Sequence, residues 1–207
     1  MPEKEITQAV YSDKFWTIPN VLTMIRMILV VPIVNQMRIN TPESNFVAFD
    51  LFVIAYLTDF LDGFLARALK SVSKIGQIID PMSDKILTVT VSALLYFSHK
   101  TGAYFFLLIL LRDLVISMGA IYAMNSRKKM IVQPQLTGKI TTLVLGLVLA
   151  LYLLRDSFIT NLFGFGPGLG LAVKYGTWLA SLMLVLSGLN YAVYYYKGFL
   201  TKKAAAK

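Results

Sequence analysis

Long apolar stretches separated by short polar segments dominate this chain. A helix that crosses a bilayer needs roughly 20 mostly apolar residues. The pattern predicts an all-α integral membrane protein, a single domain in which residues 18–200 form a bundle of six transmembrane helices. The predicted spans are Ile18–Met37, Phe46–Lys70, Ile75–Ser98, Gly102–Asn125, Leu136–Leu154 and Leu171–Tyr196.

The composition supports a membrane location. Of the 207 residues, 57% are hydrophobic and the mean hydropathy is +0.65, whereas soluble domains are about 45–50% apolar. The chain contains no cysteine, which excludes disulfides and thiolate metal sites. The net charge of +9 could suggest nucleic acid in a soluble protein. In a membrane protein such an excess collects in cytoplasmic loops that face anionic lipid, so we expect no nucleic-acid partner.

Segments rich in Lys and Arg alternate with segments that contain few of them, from one end of each predicted span to the other. By the positive-inside rule, this asymmetry predicts a multi-pass protein of the cell (inner) membrane with both termini in the cytoplasm. Residues 1–17 are expected to form a cytoplasmic interfacial segment, in which Ile6, Ala9 and Val10 share a face that Asp13 interrupts. The denser side holds Lys4, Lys14, Lys70, Lys74, Arg127, Lys128, Lys129, Lys197, Lys202 and Lys203, and the other side holds Arg38, Lys100 and Arg155.

Four aspartates lie within the second and third predicted spans. An aspartate at the bilayer centre costs roughly 2.5–3.5 kcal/mol, so these side chains should face the bundle interior. Helical spacing places them on one stripe of each helix, together with residues that lack bulk. The stripes are Asp59, Asp62, Gly63 and Ala66 on the second span, and Gly76, Asp80, Ser83 and Asp84 on the third.

The short connection Ser71–Lys74 predicts an antiparallel hairpin in which these two stripes confront each other. Carboxylates that face each other repel unless cations lie between them, and an oxygen-only ligand set suits Mg²⁺ or Mn²⁺. Two such ions could polarise a diphosphate. The alternative is that the acids only form ion pairs with Arg67, Lys85 or Arg112, which would leave the matched small residues unexplained.

From Asp59 to Asp84 the sequence reads D-F-L-D-G-F-L-A-R-x8-G-Q-I-I-D-P-M-S-D. It resembles the D-x2-D-G-x2-A-R-x8-G-x3-D-x3-D signature of the CDP-alcohol phosphotransferase (CDP-alcohol phosphatidyltransferase) family, without departure in residue or spacing. The family's six-span bundle also agrees with the predicted spans. The resemblance implies a metal-dependent enzyme that transfers a phosphatidyl group from CDP-diacylglycerol to an alcohol, with CMP as the other product.

The resemblance also implies roles for single residues, with the active site on the cytoplasmic side. Asp84 is expected to be the general base that takes the proton of the acceptor hydroxyl. A homodimer, typical of the family, is also expected. The implied metal ligands are Asp59, Asp62, Asp80 and Asp84, and the implied CDP-binding residues are Asn20, Thr23, Asp62, Gly63, Ala66, Arg67 and Gly76.

Three basic residues inside the spans, Arg26, Arg112 and Lys139, suggest which alcohol is used. A buried cation is costly without an anion, and a phosphate on the acceptor would supply one. The P-N-x2-T-x2-R segment that ends at Arg26, and the pairs Arg112-Asp113 and Gly138-Lys139, resemble the phosphatidylglycerophosphate synthase group. Glycerol 3-phosphate is therefore the expected acceptor.

Other interpretations of these residues stay open. Arg112 could simply pair with Asp113, and Lys139 could extend its ammonium group to the membrane surface. Many members that use glycerol 3-phosphate have Glu where this chain has Asp113, and Asp there also occurs in cardiolipin synthases, whose acceptor is phosphatidylglycerol. An inositol phosphate acceptor is also compatible with the acidic motif. A transporter is a remote alternative, because the halves of the chain are not similar and the acids cluster on one side.

Overall fold

The computed structural model describes residues 18–68, 76–125 and 136–204. These residues form seven α-helices and no strand, so the prediction of an all-α fold is confirmed for the described part of the chain. The helices are α1 (Ile18–Ile39), α2 (Pro42–Ala68), α3 (Gly76–Phe97), α4 (Ala103–Asn125), α5 (Leu136–Arg155), α6 (Phe158–Leu162) and α7 (Gly166–Ala204). The predicted interfacial segment, residues 1–17, and the turn Ser71–Lys74 lie outside the described residues.

Six of these helices correspond in position to the six predicted spans, and each has at least the 20 residues of α5. Within the described residues, three helical stretches are both long and apolar enough to cross a membrane: Asn20–Ile39, Leu136–Arg155 and Gly166–Tyr196. The count of six spans therefore stays a prediction. The many exposed apolar side chains, such as Ile28, Val31 and Trp178, fit a lipid environment.

Local capping explains why α2 begins earlier than the predicted span. Thr41 and Ser44 form a reciprocal cap, in which the Thr41 N–H donates to the Ser44 hydroxyl at 2.8 Å and the Ser44 N–H donates to the Thr41 hydroxyl at 3.2 Å. Pro42 at the first helical position is compatible with this start. Asn40, with φ of 56°, reverses the chain just before the cap. The hydropathy pattern missed this start because the first turn of α2 is polar.

The chain divides into two compact units. The first unit is Met1–Leu94 with Asp156–Phe163, and the second is Leu95–Arg155 with Gly164–Lys207. In the first unit, α1 packs along α2, with Ile33 and Phe52 in the core. The short helix α6, which the apolar pattern did not predict, joins this unit through Asn45, whose side-chain amide donates to the carbonyl of Asp156 at 3.2 Å.

In the second unit, α7 packs against both α4 and α5. The core side chains come from every third or fourth residue of each helix, as expected for helices with one buried stripe. They include Phe105 and Ile109 on α4, Leu145 and Leu149 on α5, and Leu184 on α7. The last helix begins at Gly166, five residues before the predicted start at Leu171.

Candidate active site

The acidic motif lies on regular helical backbone at the end of α2 and the start of α3. This backbone gives the spacing on which the predicted stripes depend: Asp62 follows Asp59 at an offset of three positions, and Asp84 follows Asp80 at an offset of four. The side-chain placement of the motif residues lies outside what the structure describes. These residues are Asp59, Asp62, Gly63, Ala66, Arg67, Gly76, Asp80 and Asp84.

Ser83 is the described side chain nearest in sequence to the predicted metal ligands of α3. It is only 1% exposed, so this side of α3 faces the interior of the first unit. In the sequence, Asp80 precedes Ser83 by three residues. The carboxylates of the motif form an oxygen-only donor set, which fits Mg²⁺ or Mn²⁺. Among the other side chains that the structure describes, no group of three His, Asp or Glu residues could hold a metal ion.

The buried face of α1 carries three polar residues at intervals of three. Asn20 and Thr23, which the resemblance places in the CDP-binding set, are 5% and 0% exposed, and both have interaction partners. Arg26 follows them and is also fully buried. The start of α1 therefore turns a polar surface, not an apolar one, into the first unit. Whether Asn20 and Thr23 bind CDP stays a prediction.

Arg26 connects α1 to both helices that carry the acidic motif. Its Nε donates to the carbonyl of Ala55 on α2 at 3.3 Å. One of its terminal nitrogens donates to Oγ of Ser83 on α3 at 3.0 Å. Sequence reasoning selected Arg26 but not these two partners, because an alanine carbonyl and a serine hydroxyl carry no distinguishing signal in the sequence.

The other predicted phosphate-binding residues, Arg112 and Lys139, lie in the second unit. Arg112 forms an ion pair with Asp113 at 2.8 Å, and both side chains are 11% exposed. A second terminal nitrogen of Arg112 donates to the carbonyl of Gly138 at 3.3 Å and to Oγ1 of Thr142 at 3.2 Å. The pairing with Asp113 that the sequence left open is thus present, and the same guanidinium also reaches α5.

Two features leave binding capacity at Arg112. Its Nε is buried and has no hydrogen-bond partner among the described residues. Lys139 follows Gly138 directly and is exposed. The structure therefore brings Arg112 to the start of α5, where Lys139 follows Gly138 in the chain.

Aromatic residues of α7 pack over glycines of α4 and α5, which sequence reasoning missed. A Cβ at Gly138 would lie 2.6 Å from the Tyr191 hydroxyl oxygen, and a Cβ at Gly119 would overlap the Tyr195 ring. The two tyrosine rings stack with centroids 6.2 Å apart. Only glycine allows such close approach of a ring to a helix backbone. Two helical glycines and a Tyr-x3-Tyr spacing on α7 are the signal that could have found these contacts.

The two units together contain the features of a helical membrane protein, with an acidic motif on the first unit. Each unit also has an arginine that is bonded across helices, fully buried in the first unit and partly buried in the second. The family model of CDP-alcohol phosphatidyltransferase matches residues 16–189, which is most of the chain and includes the whole motif. This protein belongs to the CDP-alcohol phosphatidyltransferase family, which confirms the resemblance seen in the sequence.

Relatives in three bacteria carry the name CDP-diacylglycerol--glycerol-3-phosphate 3-phosphatidyltransferase. The one from Aquifex aeolicus is 33% identical over 136 residues, which are 64% of this chain and 72% of the relative. The one from Wigglesworthia glossinidia brevipalpis is 27% identical over 176 residues, which are 84% of this chain and 92% of the relative. The one from Cereibacter sphaeroides is 43% identical, but only over 76 residues, 36% of this chain and 34% of the relative.

Proposed function

We propose that this protein transfers the phosphatidyl group of CDP-diacylglycerol to glycerol 3-phosphate, giving phosphatidylglycerophosphate and CMP. The observation that carries this proposal is the intact acidic motif inside the segment that matches the family model. The name shared by the Aquifex and Wigglesworthia relatives supports glycerol 3-phosphate as the acceptor. The product would enter phospholipid biosynthesis.

The proposed chemistry is a direct displacement. The acceptor hydroxyl loses its proton to the Asp84 carboxylate, and its oxygen forms a bond to the β-phosphorus while the bond from that phosphorus to the CMP oxygen breaks. General-base catalysis by Asp84 supplies only part of the rate acceleration. Placing the two reactants in the correct geometry supplies much of the rest. Asn20, Thr23, Asp62, Gly63, Ala66, Arg67 and Gly76 are proposed to hold the CDP group.

Asp59, Asp62, Asp80 and Asp84 are proposed to hold two Mg²⁺ or Mn²⁺ ions. Such ions, when bound, neutralise charge on the diphosphate and on the departing CMP. The oxygen-only donor set of the motif and the burial of the neighbouring Ser83 support this assignment.

Arg112 and Lys139 are proposed to bind the phosphate of the acceptor. The observation in favour is the buried Nε of Arg112, a donor without a partner among the described residues. An unpaired buried donor costs free energy, and an anionic ligand would satisfy it. Asp113 neutralises part of the guanidinium charge, so Arg112 is stable before the acceptor arrives.

A second acceptor, phosphatidylglycerol, is favoured by one observation. The residue after Arg112 is Asp113 and not Glu, and an Asp at this position also occurs in cardiolipin synthases of this family. Inositol phosphate is a further possible acceptor. All these reactions would release CMP, so a single assay can separate them.

For the membrane topology we propose six spans in the cell (inner) membrane, both termini and the active site in the cytoplasm, and a homodimer. The basic residues on one side of the predicted spans support the orientation. Because the chain has no cysteine, single cysteines can be introduced in each predicted loop and tested with a membrane-impermeant thiol reagent. Labelling of both termini from the outside of intact cells would contradict the orientation.

The experiment that tests the function is CMP release by the purified protein. Mg²⁺ or Mn²⁺ and CDP-diacylglycerol would be present, with glycerol 3-phosphate, phosphatidylglycerol, inositol phosphate or serine as separate acceptors. We expect release with glycerol 3-phosphate. Release with phosphatidylglycerol alone would replace the proposed acceptor, and no release with any acceptor would overturn the proposed activity.

The Asp84→Asn variant tests the general base in the same assay. We expect a loss of at least about 100-fold in CMP release, the lower end of typical general-base contributions, with an unchanged elution volume in size-exclusion chromatography. Asp50→Asn is the matched control, because Asp50 is an exposed acid on α2 and lies outside the motif. Near-normal release by Asp84→Asn would contradict the role of Asp84.

A further inference from the structure

Arg26 is the largest fully buried side chain in the described part of the protein. It lies on α1, but its Nε donates to the carbonyl of Ala55 on α2, and a terminal nitrogen donates to the hydroxyl of Ser83 on α3. These partners are 29 and 57 residues away along the chain. A single guanidinium therefore joins three helices of the first unit.

The shape of the side chain suits this task. A guanidinium is planar and offers five N–H donors in a fixed fork, so two bonds made in different directions fix the positions of two acceptors relative to each other. A lysine ammonium is a flexible point charge and fixes less. Because a buried charge is costly when unpaired, Arg26 favours the one arrangement of α1, α2 and α3 that satisfies it.

Both anchor points lie next to proposed metal ligands. Ala55 is four residues before Asp59, about one helical turn earlier along the backbone of α2. Ser83 is three residues after Asp80, about one turn later along the backbone of α3, and immediately before Asp84. The hydrogen bonds of Arg26 thus fix the backbones of α2 and α3 within about one turn of the acidic residues on each.

We infer that Arg26 is a positioning residue, which sets the spacing of the acidic faces of α2 and α3 and so controls metal affinity. This inference rests on the proposed function, because it takes the motif aspartates as metal ligands. It assigns Arg26 a role different from the binding of acceptor phosphate that the sequence pattern suggests. A side chain that is 0% exposed and donates to two helices is already committed to the protein.

The first test is a titration with Mn²⁺ in detergent without substrate, in which free Mn²⁺ is followed by electron paramagnetic resonance. The loss of a partner that orients metal ligands typically weakens metal binding by about 10- to 100-fold, and we expect an effect of this size for Arg26→Gln and a smaller one for Arg26→Lys. Arg38→Gln is the matched control, since Arg38 is an exposed arginine on the same helix. Unchanged Mn²⁺ affinity in Arg26→Gln would overturn the inference.

The second test separates positioning from acceptor binding. At saturating metal, we expect the KM for glycerol 3-phosphate in Arg26→Lys to stay within about twofold of the wild type, while the metal concentration for half-maximal rate rises. The opposite pattern, a raised acceptor KM with an unchanged metal requirement, would assign Arg26 to the acceptor phosphate and refute the inference.

Ser83→Ala provides a test that leaves Arg26 in place, in case the arginine variants do not fold. It removes the hydroxyl acceptor on α3 and should weaken Mn²⁺ binding by about three- to tenfold. If both residues act through their shared hydrogen bond, Arg26→Lys with Ser83→Ala should bind Mn²⁺ no more weakly than Arg26→Lys alone. Wild-type affinity in Ser83→Ala, or fully additive losses in the double variant, would count against the inference.

A distance measurement checks the spacing itself. Spin labels on cysteines at the exposed positions Leu57 on α2 and Ile86 on α3 would be the only labels, because the chain has no native cysteine. We expect the distance distribution between the labels to broaden in Ser83→Ala and not in Arg38→Gln. An unchanged distribution would show that the bond does not set the spacing.

The outcomes also distinguish this inference from the proposed function. A wild-type protein that binds Mn²⁺ but releases no CMP would contradict the proposed function, and the comparison of Mn²⁺ affinities would still decide the role of Arg26. A wild-type protein that binds no Mn²⁺ would refute the inference itself.

Discussion

Each unit contains an arginine that is largely removed from solvent, and the two arginines have different surroundings. In the first unit, Arg26 is fully buried and donates to neutral oxygens on two other helices. In the second unit, Arg112 pairs with the carboxylate of its own chain neighbour, Asp113, and keeps a buried Nε without a partner among the described residues. The first arrangement fixes helices, whereas the second leaves a donor for a ligand.

The helices of the two units are also held together differently. In the first unit, Arg26 of α1 reaches across to α2 and α3, and the cap formed by Thr41 and Ser44 fixes where α2 begins. In the second unit, rings of α7 lie against glycines of α4 and α5. The second unit also has polar contacts between helices, such as the hydrogen bond from the Thr141 hydroxyl to the carbonyl of Met183 at 3.3 Å, so the ring packing adds to these contacts.

The largest effect that separates the two arginines is expected for Arg112→Gln. The loss of a charge that pairs with a ligand phosphate typically costs about 2–5 kcal/mol, so we expect the kcat/KM for glycerol 3-phosphate to fall by at least about 30-fold. Mn²⁺ affinity should stay unchanged, in contrast to the Arg26 variants. The measurement is CMP release over a range of acceptor concentrations, combined with a Mn²⁺ titration.

Removal of Arg112 also leaves Asp113 buried without its ion-pair partner, which could lower stability and obscure the result. The double variant Arg112→Gln with Asp113→Asn relieves that unpaired charge. We expect it to recover the midpoint of thermal unfolding but not the kcat/KM. Recovery of both would mean that Arg112 acts only through its pair with Asp113, and it would remove the contrast with Arg26.

An intermediate effect is expected from Gly119→Ala, which tests the packing of the second unit. The added methyl group would overlap the Tyr195 ring, and overpacking of this kind costs about 1–3 kcal/mol in stability. The midpoint of thermal unfolding in detergent should fall accordingly. Gly188→Ala is the matched control on α7, because a Cβ there meets nothing within 4 Å, and it should leave the midpoint unchanged or raise it.

A second substitution identifies the cause of the Gly119 effect. Tyr195→Ala in the Gly119→Ala background removes the ring that the methyl group would meet, so the two losses of stability should be less than additive. Fully additive losses would show that ring packing over Gly119 does not hold α4 against α7.

The smallest effect is expected from Thr142→Val, which removes the hydroxyl that accepts a hydrogen bond from Arg112 at 3.2 Å. Such a bond contributes about 1 kcal/mol, which corresponds to a change of about fivefold in the KM for glycerol 3-phosphate. Thr88→Val is a suitable control, because Thr88 is a buried threonine of the first unit. An acceptor KM that is equal in the two variants would show that the α5 contact does not orient Arg112.

The sequence alone determined the family and the helical architecture. The motif from Asp59 to Asp84 has fixed residue types at fixed spacing, and such a pattern is visible without any tertiary contact. The positions of the long helices followed from the length of the apolar stretches. The starts of α2 and α7 and the presence of α6 did not, because caps and short polar turns leave little trace in hydropathy.

The sequence also selected Arg26 and Arg112 as buried cations but treated them alike. Only the tertiary structure distinguished them, since two partners of Arg26 are an ordinary alanine carbonyl and a serine far away in the chain. The glycine–tyrosine contacts of α7 depend in the same way on which helix faces meet. Local spacing fixes the residues on one helix face, but packing between distant segments decides what each of those residues touches.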